Sequence, residues 1–327
     1  MGAAALAVVT GVLALGLPAL LRLARARPGL AATVTVGVLS VIAALRVPVP
    51  GAARWPPPGW VLVACDVGQG DALVLSTASG RAVLVDAGPD PDDVDSCLRR
   101  LGVRALDAVV LTHFHADHVD GLPGALRGRR AAELVVTLVD DPPWQAREVR
   151  REAAAAGVPV RTVAVGEQRL AGRAAWVVLS PERVIRDGSV PNNASIVLLV
   201  HSSGLRLLLL GDVEPAADRV VARRLERVPE GGRVDVLKVA HHGSALQDPA
   251  LVARASPRLA LVSVGAGNDY GHPAASTLRL LAAVGARVAR TDLEGDLAVV
   301  PGSSGPRLVA SGPRPHHARH GTRTRSG

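Results

Sequence analysis

Residues 105 to 121, ALDAVVLTHFHADHVDG, run an apolar stretch straight into three histidines and two aspartates. The apolar stretch has to be buried, whereas imidazoles and carboxylates are costly to bury unless they are paired. A chain reconciles the two where a buried strand ends at an opening and other segments bring partners to it. The same switch recurs in LLLLGDVE, which reaches Asp212, and in VDVLKVAHHGS, which reaches His241 and His242. Three strands that each end at ligand-type residues predict a site on one rim of a sheet, and this constrains the fold more than any compositional figure.

The remaining pattern supplies the sheet. VLVACDVGQGDALVLST and RAVLVDAG, joined through Ser79-Gly80, read as a hairpin. A helix over DDVDSCLRRLG precedes the ALDAVVLT strand. Beyond the histidines come ELVVTLV, a helix around REVRREAAAAG, WVVLS, SIVLLV, LRLLLLGD, a helix through PAADRVVARRLERV, and VDVLKVA. LVARAS, LALVSVG, a helix over TLRLLAAVG and the strands ARVART and DLAVVPG complete the run. Strands and helices alternate, with several hairpins, so a mixed α/β (α+β) fold with helices outside the sheet is expected from residue 61 to 310.

The flanks differ. Residues 3–21 and 30–45 are uncharged, and at 1.5 Å per residue the first covers roughly 28 Å, one hydrocarbon thickness. Arg22, Arg25 and Arg27 lie between them. A secretory signal places its charges ahead of the apolar core, so residues 1–46 read as a transmembrane helical hairpin with a cytoplasmic basic loop. That orientation makes the protein a multi-pass cell-membrane protein with its folded domain extracytoplasmic; the alternative, one span plus an interfacial segment, reverses the orientation. Residues 47–60, VPVPGAARWPPPGW, form a semi-rigid Pro-rich linker. Residues 311–327 are polar, basic and Gly/Pro-rich, a disordered tail whose His316, His317 and His320 are solvated.

Composition excludes more than it assigns. Of 37 Lys and Arg residues only Lys238 is lysine, so the net charge of +8 reflects an arginine bias and names no partner. One Phe, one Tyr and four Trp show no stacking platform for bases. Cys65 and Cys97 fit neither a disulfide framework nor a thiolate zinc site and read as two unpaired small residues. No motif for an organic cofactor is present.

His113 and His115, two apart, face one side of an extended segment, with Asp117 and His118 at the turn beyond. Four such donors suit two adjacent divalent ions, Zn²⁺ or Mn²⁺: one on His113 and His115, the other on Asp117 and His118. Asp212 is the expected bridging carboxylate. Of the histidine pair, His241 is the expected ligand, and His242 is expected near the substrate. Lys238, the one lysine, is expected to contact substrate phosphate as a point charge.

The ordered set HFHADH (113–118), DVGQGDA (66–72), LVDAG (84–88), GDVE (211–214), LKVAHHGS (237–244) and YGHP (270–273) resembles the metallo-β-lactamase superfamily. More narrowly, it resembles the C-terminal hydrolase domain of the ComEC/Rec2 DNA-internalisation proteins. The resemblance covers about residues 61–305 and implies a four-layer αββα sandwich with a dinuclear metal site between the sheets. Many members of the superfamily carry a further histidine before the bridging aspartate, and His201 is the candidate by position. Folding SIVLLVHSSGLRLLLLGD as a hairpin turning near Ser203 puts Ala194 opposite Asp212 and His201 roughly 25 Å away, an exposed turn residue. Asn193 or water is then expected to complete the first ion's shell, with Ser195 beside it.

Two divalent ions outweigh the carboxylates of Asp117 and Asp212 and a hydroxide, leaving net positive charge suited to a phosphodiester. Asp117, Asp212, Lys238, His242 and His272 are the expected catalytic group. Asp66, Asp71 and Asp86 are expected to orient ligands, and Tyr270 and Ser244 to hydrogen-bond substrate. The expected function is a membrane-anchored nuclease degrading the non-imported strand during DNA uptake, with single-stranded DNA, the membrane and a separate channel subunit as partners. The alternatives are a small-molecule metallo-hydrolase, such as a phosphorylcholine esterase or a thioesterase, and a non-catalytic metal-bearing channel subunit.

Overall fold

Apolar alternation along the strands sets the layers. The computed structural model describes residues 55–228 and 232–313, together with four isolated helical positions, 29, 33, 36 and 37. Two units are distinguished, residues 1–53 and 54–327. The expected membrane hairpin, most of the linker and most of the tail lie outside the described residues. Among the described residues no helix is long and apolar enough to cross a membrane.

The first sheet holds β1 (Leu62–Ala64), β2 (Leu73–Ala78), β3 (Arg81–Val85), β4 (Ala105–Leu111), β5 (Arg130–Ala131), β6 (Leu134–Val136) and β7 (Val160–Thr162). The second holds β8 (Gln168–Ala171), β9 (Ala174–Ser180), β10 (Val197–Ser202), β11 (Leu205–Leu209), β12 (Val236–Lys238), β13 (Leu259–Val262) and β14 (Arg287–Arg290). The chain then returns to the first sheet with β15 (Leu297–Gly302) and β16 (Gly305–Ala310). The orders are β16-β15-β1-β2-β3-β4-β6-β7, with β5 beside β4, and β14-β13-β12-β11-β10-β9-β8.

Side chains alternate between faces along each strand. Leu62, Leu75 and Val85 of the first sheet meet Leu198, Leu207 and Leu209 of the second in a central core. Val63, Val74 and Leu84 point the other way, onto Val94 and Leu98 of helix α1 (Pro91–Arg100). Leu199, Leu208 and Leu237 likewise meet Val221 and Leu225 from helix Pro215–Leu225. Three apolar layers between four of secondary structure make the expected αββα sandwich.

Helix α1 starts where its sequence says it should. Asp90 caps it by accepting the Asp92 amide, Pro91 opens it, acidic residues fill the first turn and Arg99 and Arg100 the last. Beyond the expected elements the sheets gain β16 and the short β5, β7 and β8, and LVARAS lies in a helix, Pro249–Ala255, capped by Asp248.

The cysteine expectation is corrected. Cys65 and Cys97 form a disulfide, with Cα atoms 6.1 Å apart, that ties the end of β1 to α1. Both are fully buried. The pair is 32 residues apart in sequence, and only the folded β2–β3 hairpin brings the two segments together, so spacing carried no sign of it.

Candidate metal centre

Strands β3, β4, β11 and β12 all end at one rim. Past β3 comes Asp86, past β4 Thr112 and the HFHADH segment, past β11 Asp212, and past β12 the His241-His242 pair. The two sheets are stitched there by the Ile196 amide donating to the Thr112 carbonyl, 3.0 Å, and within the second sheet the His241 amide donates to the Gly211 carbonyl, 3.1 Å. Ligands in an open α/β sheet belong at these strand ends.

Two of the HFHADH imidazoles, His113 and His118, are held from behind. His118 Nδ1 lies 2.9 Å from Asp86 Oδ2, and Asp86 in turn accepts the Thr112 amide at 2.7 Å and its hydroxyl at 2.8 Å. His113 Nδ1 lies 3.1 Å from Thr112 Oγ1 and 3.4 Å from Ser195 Oγ. These contacts leave His113 Nε2 and His118 Nε2 buried without a hydrogen-bond partner. Ligand histidines are arranged in this way, one nitrogen anchored and the other presented.

Donor atoms of Asp117, His118, Asp212 and His242 all lie within 4.8 Å of one another. His118 Nε2 is 3.2 Å from Asp212 Oδ2, and His242 Nε2 is 3.2 Å from Asp117 Oδ2 and 3.3 Å from Asp212 Oδ2. The His113 ring sits 4.2 Å from that of His118 and 4.6 Å from that of His115, between centroids. Asp71, Asp86, Asp117 and Asp212 thus crowd one region, where Lys238 is the ammonium among them. Burial alone drives the His118 and His242 pKa values down. The carboxylates prevail: Asp212 with Asp117 and Asp86 at His118, and Asp212 with Asp71 at His242, hold both well above the usual histidine range. Burial raises Asp212, but His118 and His242 hold it well below the usual carboxylate range. An excess of buried negative charge with unpaired imidazole nitrogens fits divalent cations.

The centre opens into a cleft of about 520 Å³ lined by Gln69, His115, Asp117, Asn192, Asp212, His241, His242, Tyr270 and His272. The family described as the metallo-beta-lactamase superfamily matches residues 65–265.

The chain belongs to the metallo-beta-lactamase superfamily.

Within the superfamily, the chain is 30% identical over 254 residues to ComE operon protein 3 of Bacillus subtilis, covering 71% of this chain and 32% of that protein. It is 27% identical over 250 residues to Recombination protein 2 of Haemophilus influenzae, covering 74% of this chain and 29% of that one. The chain therefore spans about a third of the length of these relatives. They bear out the ComEC/Rec2 resemblance. A solved structure of a variant of the β-hydroxylase CmlA superposes with a TM-score of 0.51 at 16% identity, covering 78% of this chain and 54% of that one, and so shares the fold alone.

The folded geometry places several of the expected residues differently. His242, not His241, joins Asp117, His118 and Asp212; it is 1% exposed, and its Nδ1 donates to the Ser263 carbonyl at 3.0 Å. His241 is part-exposed at the cleft, its Nε2 3.8 Å from Asp212 Oδ2. The cause is local backbone: His241 and His242 both have positive φ, 48° and 52°, so strand alternation does not continue through them. Lys238 cannot touch substrate. It is fully buried beneath the ligands, where it pairs with Asp71, donates to the Gly211 carbonyl at 3.0 Å and lies 3.7 Å from Asp212 Oδ1.

Asn193 does not face the centre either, since its side chain accepts the Glu214 amide at 3.1 Å and donates to the Asp187 carbonyl at 2.8 Å. Asn192 lines the cleft instead. Ser195 is placed as expected, accepting the Asp212 amide at 3.1 Å. The Leu198↔Leu209 register extends to Ser195 opposite Asp212, one residue on from the expected Ala194. His201 sits exposed on β10 next to the Ser203 turn.

Asp71 and Asp86 both touch ligand histidines, Asp71 Oδ1 lying 3.4 Å from His242 Nδ1. Asp66 is elsewhere: its amide donates to Asp296 Oδ1, 2.9 Å, next to the disulfide. Ser244 caps a turn, accepting the Leu246 amide at 3.3 Å. Tyr270 and His272 do line the cleft. Sequence reading missed Thr112, Gln69 and Ser263; Thr112, the first polar residue after the β4 apolar run, was the one with a readable signal.

Proposed function

We propose that the chain is a metal-dependent phosphodiesterase that cleaves DNA, anchored in the cell membrane with its hydrolase domain extracytoplasmic, and that it degrades the non-imported strand during DNA uptake. The observation that carries the proposal is the convergence of Asp117, His118, Asp212 and His242 at the floor of an open cleft. His113, His115 and Asp212 are proposed to hold a first divalent ion, Zn²⁺ or Mn²⁺, and Asp117, His118, Asp212 and His242 a second. Bound there, such ions supply Lewis-acid polarisation of a phosphoryl oxygen and water of lowered pKa.

The chain's own residues do the positioning. Asp86 and Thr112 fix the His118 ring, and Thr112 and Ser195 fix His113. Lys238 and Asp71 brace Asp212 and His242 from below. His241 and His272 are left at the cleft wall, within reach of a phosphate or a leaving oxygen. One of the relatives is named a recombination protein, which supports DNA as the substrate. The buried Cys65–Cys97 disulfide supports an oxidising compartment, the outer side of the membrane.

The test strips the full chain of metal, refills it with Mn²⁺ or Zn²⁺, and assays single-stranded DNA, a small phosphodiester and a thioester in parallel. DNA cleavage that is lost on stripping and restored on refilling is the expected result. Thioester turnover alone overturns the DNA reading in favour of a small-molecule hydrolase, and metal uptake with no turnover favours a scaffold role.

A further inference from the structure

The chain's one tyrosine stands at the mouth of the cleft, 72% exposed. It is not a loose surface ring. Its plane lies 25° from that of His272, with centroids 5.8 Å apart, and His272 in turn lies 29° from His242, 6.4 Å away. Three rings, each tilted by less than 30° from the next, therefore step from the cleft mouth down to His242. His241 closes the side of the ladder, edge-on to His272 at 5.5 Å.

The loop that carries these rings is pinned. Asn268 donates to the Gly265 carbonyl at 3.0 Å and to the His272 carbonyl at 2.8 Å, and accepts the His272 amide at 3.1 Å. One face of Tyr270 is turned to His272, and the rest of the ring is open at the mouth of the cleft. Planar rings held in this way, ahead of a hydrolytic site, offer a step on which a further flat ring can continue the stack.

We infer that Tyr270 is a base-stacking ledge, and that the cleft takes single-stranded nucleic acid by the unpaired base next to the scissile phosphate. The inference rests on the phosphodiesterase reading and narrows its substrate class: a paired base has its face covered by neighbours, whereas an unpaired one can lie on Tyr270. Tyr270 is a positioning residue, since the ring acts on where the phosphate sits and not on the reacting atoms.

The experiment uses the metal-loaded full chain on a single-stranded oligonucleotide and on the same oligonucleotide with abasic residues around the cleavage position. A small phosphodiester without a base is assayed beside them. The expected result is a KM about ten-fold higher for the abasic strand with little change in kcat. Tyr270→Ala should bring the two strands level, and Tyr270→Phe should keep the difference. As a reading independent of turnover, 2-aminopurine in the oligonucleotide should be quenched on binding to Asp117→Ala, and not when Tyr270→Ala is added. Equal KM values for both strands with wild-type protein, or a preference that survives Tyr270→Ala, overturn the ledge while leaving the phosphodiesterase reading standing. Failure to cleave any of the three substrates overturns both.

Discussion

At the scale of single residues, the centre separates groups that hold ligands from groups that hold the holders. Asp117→Ala and Asp212→Ala should each abolish activity and leave far-UV circular dichroism essentially unchanged, because both sit at the rim and not within an apolar layer. Asp86→Ala removes the brace behind His118 together with the acceptor of the Thr112 amide and hydroxyl, and a loss of about 10–100-fold in metal affinity or activity is expected from a metal titration. His201→Ala should be neutral in the same assays. Lys238 makes the opposite kind of prediction. Lys238→Met leaves Asp71 buried without its partner, which should cost about 3–5 kcal/mol in urea unfolding. Adding Asp71→Asn should recover part of that loss; if the double variant is no more stable than Lys238→Met, the ammonium's role lies elsewhere.

At the scale of elements, the disulfide and one helix carry the testable consequences. Cys65 opens the loop that delivers Gln69 and Asp71 to the site, and Cys97 lies on α1, so the bridge ties a site loop to the outer helix layer. Closing a loop of 32 residues restricts the unfolded chain by about 3–4 kcal/mol. Replacing both cysteines by alanine should lower unfolding stability by that order while the fold persists. In helix Pro143–Ala155, burial and the nearby Asp120 raise Glu152 from 4.5 to about 7, against the opposing pull of Arg151. A carboxyl that keeps its proton more tightly in the folded chain lowers stability once ionised. The stability that goes with the protonated carboxyl is intact below the unfolded value of 4.5 and is lost as pH rises through about 7. Glu152→Gln should therefore raise the melting temperature more at about pH 8 than at about pH 5. An equal gain at both would remove Glu152 as the cause.

At the scale of the whole molecule, the sandwich explains why the site can be both anchored and open. Two sheets packed on a central core hold their strand ends in one plane, and the ligand segments are irregular backbone laid across that rim. Gly70 shows how tightly they are laid: a Cβ there would meet the Asp117 carbonyl oxygen at 2.2 Å, at a φ of 143°. The molecule's compartment is testable at the same scale. Trapping free thiols in intact cells before lysis should find Cys65 and Cys97 oxidised; reduced cysteines in the native protein would place the domain on the cytoplasmic side.

Period and strand-end chemistry are local, so the sequence alone determined the layered α/β class and the rim position at which Asp117, His118 and Asp212 converge. The order of the motifs also sufficed for the family. What remained depended on distances between segments far apart in the chain and on backbone angles that no hydrophobic pattern encodes. Two consecutive left-handed residues chose His242 over His241, and packing of β12 beneath the ligands turned Lys238 from a surface charge into a buried brace. The Cys65–Cys97 bridge and the ladder from Tyr270 to His242 likewise exist only once the sheets have closed. A strand's end can be read from its own residues, whereas a contact is a property of two segments and the path between them.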